Sequence, residues 1–193
     1  IVIAFSIATL VFIPMLTSTT APIKSYLSYT LPVVGAGWII ALTGLIDDVK
    51  ELSAKKKMIG ILLAASLVWF LTDFRLNDFK IPFGGPLLHF EPWLSYLLTV
   101  IWIVSITNAV NLIDGLDGLV SGVSIISLVT MGIVSYFFLP VPNLFLTMTI
   151  FVLVASIAGF FPFNYHPAIL YLGDTGALFI GFMISVLSLQ GLK

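Results

Sequence analysis

The sequence contains no cysteine and very little charge, and both shortages restrict the classes of protein to which it can belong. Without cysteine, the chain forms neither a disulfide nor a thiolate metal site. Charged residues make up 9% of the chain and hydrophobic residues 60%, whereas ordinary soluble domains are roughly 25% charged. The net charge is −1 and no basic stripe is present, so nucleic acid is not an expected partner. We therefore expect an integral membrane protein.

Hydrophobic residues are concentrated in seven segments, each of which predicts a membrane helix: 1–16, 31–46, 58–72, 93–107, 119–139, 144–163 and 176–192. A helix needs about 20 residues to cross the bilayer, with ~17 near the lower limit. The segments 58–72 and 93–107 are therefore short and need flanking polar residues. We predict an all-α, polytopic bundle forming one domain over residues 1–193, as a piece of a longer protein truncated at both ends. Strand-like flanks around Gly84-Gly85 predict a small external β-hairpin near 79–90.

Three polar clusters are expected on one face of the membrane, because an even number of predicted crossings separates them. They are Asp47-Asp48, the stretch 108–118, and the stretch 164–174. Lys50 and the run 55–57 crowd this face, while four basic residues are dispersed over the other. The totals are equal, and the clustering of lysines places the acidic face in the cytoplasm.

The central cluster repeats a polar residue every three positions: Asn108, Asn111, Asp114 and Asp117. Ionisable groups at membrane depth cost several kcal/mol unless they face water or have a function. One interpretation is a polar loop in which Asn and Asp form turns. The regular pair of carboxylates favours the other, a site for a divalent cation and a diphosphate. Gly115 and Gly118 would interrupt the helix there.

The other two clusters have plain structural interpretations when taken alone. Asp47-Asp48 could be a charged helix end, and Asp174 is a good N-cap for the last helix. A lone histidine near a membrane interface, such as His166, is more often structural than catalytic. Acids beside lysines are nevertheless typical of a site for an anionic substrate.

Taken together, the motifs resemble the polyprenyl-phosphate N-acetylhexosamine-1-phosphate transferase family. The matching stretches are Gly44-Leu-Ile-Asp-Asp48, Asn108-Ala-Val-Asn-Leu-Ile-Asp-Gly-Leu-Asp-Gly-Leu119, His166-Pro-Ala and Gly173-Asp-Thr-Gly-Ala177. The last two stretches look closer to the GlcNAc-1-phosphate branch than to the pentapeptide branch. Two departures stand out: Ile169 replaces a lysine common in that branch, and Ile61 replaces a glutamine.

The resemblance implies a function and a set of site residues. Transfer of GlcNAc-1-phosphate from UDP-GlcNAc to undecaprenyl phosphate is expected, with Mg²⁺, or Mn²⁺ in its place, as cofactor. The enzyme would lie in the cell membrane of a Gram-positive bacterium, among membrane lipid, alone or as a homodimer, and would initiate a cell-wall polymer such as teichoic acid. By resemblance the catalytic residues are Asp47, Asp48 and Asp117, the metal ligand is Asp174, and the substrate-binding residues are Lys50, Lys55, Lys57, Asn111, Asp114, Asn164 and Tyr171.

Four other functions make different demands on the sequence. A phospho-MurNAc-pentapeptide transferase of the same family stays open as an alternative. In a prenyltransferase motif the polar residues are four positions apart, whereas Asn111, Asp114 and Asp117 are three positions apart. An alcohol phosphatidyltransferase would continue Asp-Gly with Ala-Arg, and here Leu116-Asp117 follows. A cation transporter would need carboxylates near mid-span, whereas those of this chain are expected at span ends.

Overall fold

A computed structural model describes residues 1–17, 23–80, 85–139 and 143–190. The first segment holds a short helix α1 (Val2–Ile7), a π-helical turn (Ala8–Phe12) and a second short helix α2 (Ile13–Thr17). Longer helices follow: α3 (Ile23–Lys50), α4 (Ala54–Leu71), α5 (Pro92–Leu112), α6 (Leu119–Phe137), α7 (Leu144–Asn164) and α8 (Gly173–Gln190).

Each of the seven apolar segments predicted from the sequence contains helix. By length and composition, α3 from Tyr26 onward and all of α5, α6, α7 and α8 could cross a membrane. Helix α4 begins with the lysine run, so its apolar part starts only at Met58, and the first segment is interrupted by the π-helical turn. The prediction of an all-α, polytopic membrane protein is confirmed, and spans by the first segment and by α4 stay predictions.

A two-stranded antiparallel sheet lies between α4 and α5, as the hairpin prediction requires. Strand β1 (Asp78–Lys80) pairs with β2 (Leu87–His89), with Phe79 opposite Leu88. Gly84 and the rest of the turn at 81–84 lie outside the described residues. The exposed His89 side chain pairs with Asp78, which fits a surface role.

Helix α8 forms the centre of the bundle. It packs along α3 on one side and α5 on the other, and most of its residues from Gly176 to Leu189 are fully buried. Helix α4 packs against both α3 and α5, and α6 and α7 form a pair of their own. Because α8 is enclosed, its first turn is held in place by several neighbours at once.

Helices α5 and α8 approach each other closely at Gly181. A Cβ atom added there would lie 2.9 Å from the Thr107 Cα and 2.9 Å from the Val110 Cβ. Membrane helices gain much of their association energy from such close packing at small residues, since lipid provides no hydrophobic drive between them. The absent side chain at Gly181 therefore sets the distance between α5 and α8.

We predict that Gly181→Ala destabilises the bundle by about 1–3 kcal/mol, the usual cost of overpacking a close contact. The matched control is Gly159→Ala in α7, where an added Cβ meets no atom within 4 Å. There the same methyl group should be neutral or stabilising by up to about 1 kcal/mol, since alanine favours helix. Thermal unfolding of helix in detergent measures both, and equal midpoints for the two variants would contradict the prediction.

Candidate functional site

The candidate site lies at one end of the bundle, where α3, α5 and α7 end and α4, α6 and α8 begin. Lys57 of α4 forms ion pairs with Asp47 of α3 and with Asp174 of α8. Asn111 of α5 donates to Asp174 as well. These contacts confirm that the polar clusters emerge on one face.

Asp47 and Lys57 form the most buried charged pair of the site. Asp47 is 6% exposed, and its Oδ1 accepts a hydrogen bond of 2.6 Å from the Leu52 N–H. The Lys57 ammonium contacts Asp47 Oδ2 and lies 3.1 Å from Asp174 Oδ1. Removing one partner of a buried pair costs about 3–5 kcal/mol because the other charge stays unpaired. Lys57 therefore links α4 to the ends of α3 and α8.

Asp48, the next residue along α3, contacts α8 instead of α4. Its Oδ1 accepts from the Asp174 N–H at 2.7 Å, and its Oδ2 accepts from the Thr175 N–H at 3.1 Å and from Thr175 Oγ1 at 2.6 Å. The neighbouring carboxylates Asp47 and Asp48 thus have separate sets of donors.

Asp114 has a different environment from the other carboxylates. Helix α5 ends at Leu112, and Asp114 follows in a loop. Burial raises the pKa of the Asp114 carboxyl above its usual range, and the negative charges of Asp174 and Asp48 raise it further. In the described part of the chain, no donor or cation contacts the Asp114 side chain. Asp114 is consequently the carboxylate whose charge is least compensated.

A pocket of about 220 Å³ opens beside these carboxylates. It is formed by the loop between α5 and α6 and the connection between α7 and α8, with the lining residues Asp114, Gly115, Leu116, Asp117, Asn164, Tyr171, Leu172 and Gly173. Four of the predicted site residues therefore share one cavity.

Buried Asn164 holds one wall of this pocket in place. Its Oδ1 accepts from Ser121 Oγ at 2.7 Å, and its Nδ2 donates to the Leu170 carbonyl at 3.0 Å. Because the amide is already satisfied at both ends, its geometry indicates support of the wall. Tyr171 by contrast is 72% exposed and is accessible to a ligand.

Asp117 joins the two loops that form the pocket. Its Oδ2 accepts from the Ala168 N–H at 3.1 Å and lies 3.0 Å from His166 Nδ1. The Ala168 hydrogen bond, together with that of His166, lowers the pKa of the Asp117 carboxyl below its usual range. His166 thus contacts a predicted catalytic residue, and its structural role stays a prediction.

Other predicted residues make no contact with Asp174 in the described part of the chain. Lys50 and Lys55 are exposed, and neither has an ion pair among the described residues. The Asn108 side chain donates to the Val104 carbonyl of its own helix, so this member of the repeating series does not reach Asp174. Of the departures from the family pattern, Ile61 is fully buried and Ile169 is 76% exposed.

Sequence reasoning gave no role to Thr175 or Ser121, and it overlooked the Ala168 and Leu52 amides. The sequence could have indicated a role for Thr175, since it follows Asp174 directly in the matching motif. It could not have indicated one for Ser121, because a single serine in an apolar helix is common. Backbone amides carry no side-chain signature, so only the fold could identify them.

Comparison with known proteins was consistent with this geometry. The family described as Glycosyl transferase family 4 matches residues 30–192. A Bacillus subtilis protein named as a probable undecaprenyl-phosphate N-acetylglucosaminyl 1-phosphate transferase is 42% identical over 160 residues, covering 82% of this chain and 43% of the relative.

Two further relatives are named phospho-N-acetylmuramoyl-pentapeptide-transferase. The Staphylococcus saprophyticus protein is 36% identical over 162 residues, covering 77% of this chain and 49% of the relative. The Listeria innocua protein is 31% identical over 192 residues, covering 88% and 57% respectively. The chain thus spans about half the length of the curated relatives it matches.

Replacing Asp114 or Asp117 by asparagine should change the melting temperature in opposite directions. Asp114 has a raised pKa, so its ionised form disfavours folding, and the penalty appears as pH rises above the value of about 3.9 for an unfolded Asp. Asp114→Asn should therefore raise the melting temperature, with a gain that grows as pH rises above about 4 and levels off once pH exceeds the raised pKa.

Asp117→Asn is the matched control and should lower the melting temperature, because the pKa of Asp117 is depressed by donors that stabilise its charge. This loss should be present at neutral pH and fade as pH falls through the lowered pKa. Both variants are measured by thermal unfolding in EDTA. Shifts of the same sign would contradict the assigned environments.

Proposed function

The chain belongs to glycosyl transferase family 4, and from this membership and the geometry of the site we propose that the full-length protein is a sugar-1-phosphate transferase. The reaction is transfer of GlcNAc-1-phosphate from UDP-GlcNAc to undecaprenyl phosphate. The observation that carries the proposal is the pocket of about 220 Å³, which extends to Gly173, the residue before Asp174 of the Asp47–Lys57–Asp174 cluster. A nucleotide sugar needs both a cavity and groups that manage its diphosphate charge.

The reaction exchanges one phosphoanhydride bond for another. A phosphate oxygen of the lipid attacks the β-phosphorus of UDP-GlcNAc and forms a new P–O bond. The bond from that phosphorus to the bridging oxygen breaks, and UMP leaves with the electron pair. A phosphate monoester is already largely ionised at pH 7, since its second pKa is ~6. The site therefore needs positioning and charge stabilisation more than a strong base.

The carboxylates of the site fit a magnesium ion. Mg²⁺ is usually held by one or two carboxylates together with water and substrate phosphate oxygens. In the described ranges no three His, Asp or Glu side chains converge to hold a metal alone. Asp174 would hold the ion, and uncompensated Asp114 adds the negative charge that attracts it. When bound, Mg²⁺, or Mn²⁺ in its place, would offset charge on the diphosphate.

The lysines of the site would bind phosphate, and Asp47 would orient one of them. Lys57 lies between Asp47 and Asp174, where its ammonium can also meet a phosphate oxygen. Asp47 orients Lys57, and exposed Lys50 and Lys55 are available to the phosphate of an incoming lipid. The role of Lys57 rests on its contacts with Asp47 and Asp174, and the roles of Lys50 and Lys55 rest on their exposure and on the family resemblance.

The pocket beyond the diphosphate suits the nucleoside end of the donor. Exposed Tyr171 offers an aromatic ring against which a base can stack. Asp117 keeps the two pocket loops together through Ala168 and His166. In this arrangement Asp117 shapes the pocket, and the catalytic role that the resemblance implies for it stays a prediction.

The setting of the reaction follows from the same features. The lysines at the site favour a cytoplasmic location for it, where nucleotide sugars are available. The name of the Bacillus subtilis relative supports the GlcNAc branch and a Gram-positive source. Initiation of a polymer such as teichoic acid is our proposal for the biological role, and a homodimer stays a prediction.

The proposal is tested by giving membranes that contain the full-length protein radiolabelled UDP-GlcNAc and undecaprenyl phosphate. Inverted vesicles, which expose the cytoplasmic face, should form a lipid-diphosphate sugar and release UMP, and added UMP should reverse the reaction. Right-side-out vesicles should be inactive. Asp174→Asn should reduce turnover by about 10²-fold or more, because the amide keeps the shape but loses the anionic ligand.

Other outcomes would assign the chain elsewhere. Labelling only from UDP-MurNAc-pentapeptide would move it to the branch of the pentapeptide transferases, which the relatives at 36% and 31% identity represent. Release of UDP would exclude sugar-phosphate transfer. Activity confined to right-side-out vesicles would reverse the orientation.

A further inference from the structure

Asp48 directs both carboxylate oxygens to the first turn of α8, although it belongs to α3. The first N–H groups of an α-helix have no partner within the helix. Asp174 and Thr175 are the second and third residues of α8, so their N–H groups are of this kind. Asp48 accepts from both of them, and also from the Thr175 hydroxyl. A side chain from another helix therefore fulfils the role of an N-cap.

The residues before α8 cannot provide this cap, and Asp174, an N-cap candidate from the sequence, is instead the second residue of the helix. Leu172 precedes α8 and has no side-chain oxygen, and Gly173 has no side chain beyond hydrogen. The backbone of Gly173 has a φ of 60°, and a Cβ added there would lie 2.9 Å from both Asp48 carboxylate oxygens. Only glycine at this position allows the carboxylate to reach the helix terminus.

The approach of α3 to α8 depends on a second glycine. A Cβ at Gly44 would lie 2.5 Å from the Thr175 Cα, so any larger residue would separate the two helices. Gly44 and Asp48 are four residues apart and share a face of α3. One face of α3 thus provides both the space for α8 and the acceptor for its first amides.

We infer that Asp48 is a positioning residue, which caps α8 from α3 and thereby fixes the Asp174 and Thr175 backbone beside the pocket. Three of the roughly four acceptor sites of the Asp48 carboxylate are occupied by donors of α8, so its orientation is set by that helix. Its negative charge also complements the positive end of the helix dipole. The inference deepens the proposed function and rests on it only for the kinetic part of the test.

The structural part of the test is amide hydrogen exchange in the full-length protein without substrates. Asp48→Asn removes the charge and one acceptor, so exchange at residues 174–176 should accelerate by about fivefold or more. Exchange near the end of α8 should not change. Asp73→Asn is the matched control, since exposed Asp73 follows the far end of α4 and pairs with Arg75, so exchange at 174–176 should stay unchanged.

The kinetic part separates positioning from a general loss of folded enzyme. Fewer folded molecules lower kcat per mole of protein and leave KM for UDP-GlcNAc unchanged. A displaced Asp174 should in addition raise KM severalfold, because the donor diphosphate loses its aligned partner. Thr175→Val keeps Asp48 and removes one donor, so it should accelerate exchange and raise KM by less than Asp48→Asn does. The double variant should differ little from Asp48→Asn alone, since the two residues share one contact.

Unchanged exchange at 174–176 in Asp48→Asn, with or without lost turnover, would overturn the inference, and lost turnover would then indicate a chemical role for the carboxylate. If Asp48→Asn fails to fold, Thr175→Val decides: faster exchange at 174–176 supports the cap and unchanged exchange overturns it. A wild-type protein without transferase activity would contradict the proposed function alone, because the exchange measurement needs no turnover.

Discussion

The candidate site depends on how closely the end of α3 approaches the first turn of α8. Gly44 permits the approach, since an added Cβ would lie 2.5 Å from the Thr175 backbone. The approach brings Asp48 to the amides of α8 and sets Asp174 opposite Lys57 and Asn111. If the two helices were separated by even one methyl group, the contacts that orient Asp174 would lengthen together.

The carboxylates of the site are chemically alike but differ in their partners. Asp47 is paired with a cation, and Asp48 with the amides of a helix terminus. Asp117 accepts from a backbone amide and contacts a histidine. Asp114 alone among them is both partly buried and repelled by neighbouring negative charges. The acids with donors are fixed in orientation, whereas Asp114 has no donor or cation partner among the described residues.

The fold was predictable from the sequence to the extent that hydrophobicity decides it. Low charge and seven apolar runs indicated the helices, and counting crossings brought Asp47, Asn111 and Asp174 to one face. The sequence could not show that α8 lies at the centre, because it is the least hydrophobic of the five described helices that could cross a membrane. Nor could spacing show that Asp47 and Asp48 contact different helices, since that depends on the rotation of α3 about its axis.

The central claim is that the nucleotide end of the donor binds between the loop at 113–118 and the connection at 164–173. It is tested most directly by photo-crosslinking an azido-uridine analogue of UDP-GlcNAc to the full-length protein, followed by peptide mapping. The label should be found in one or both of these segments, and UMP should compete with it. Labelling elsewhere, such as the hairpin between α4 and α5, or labelling that UMP does not reduce, would contradict the claim.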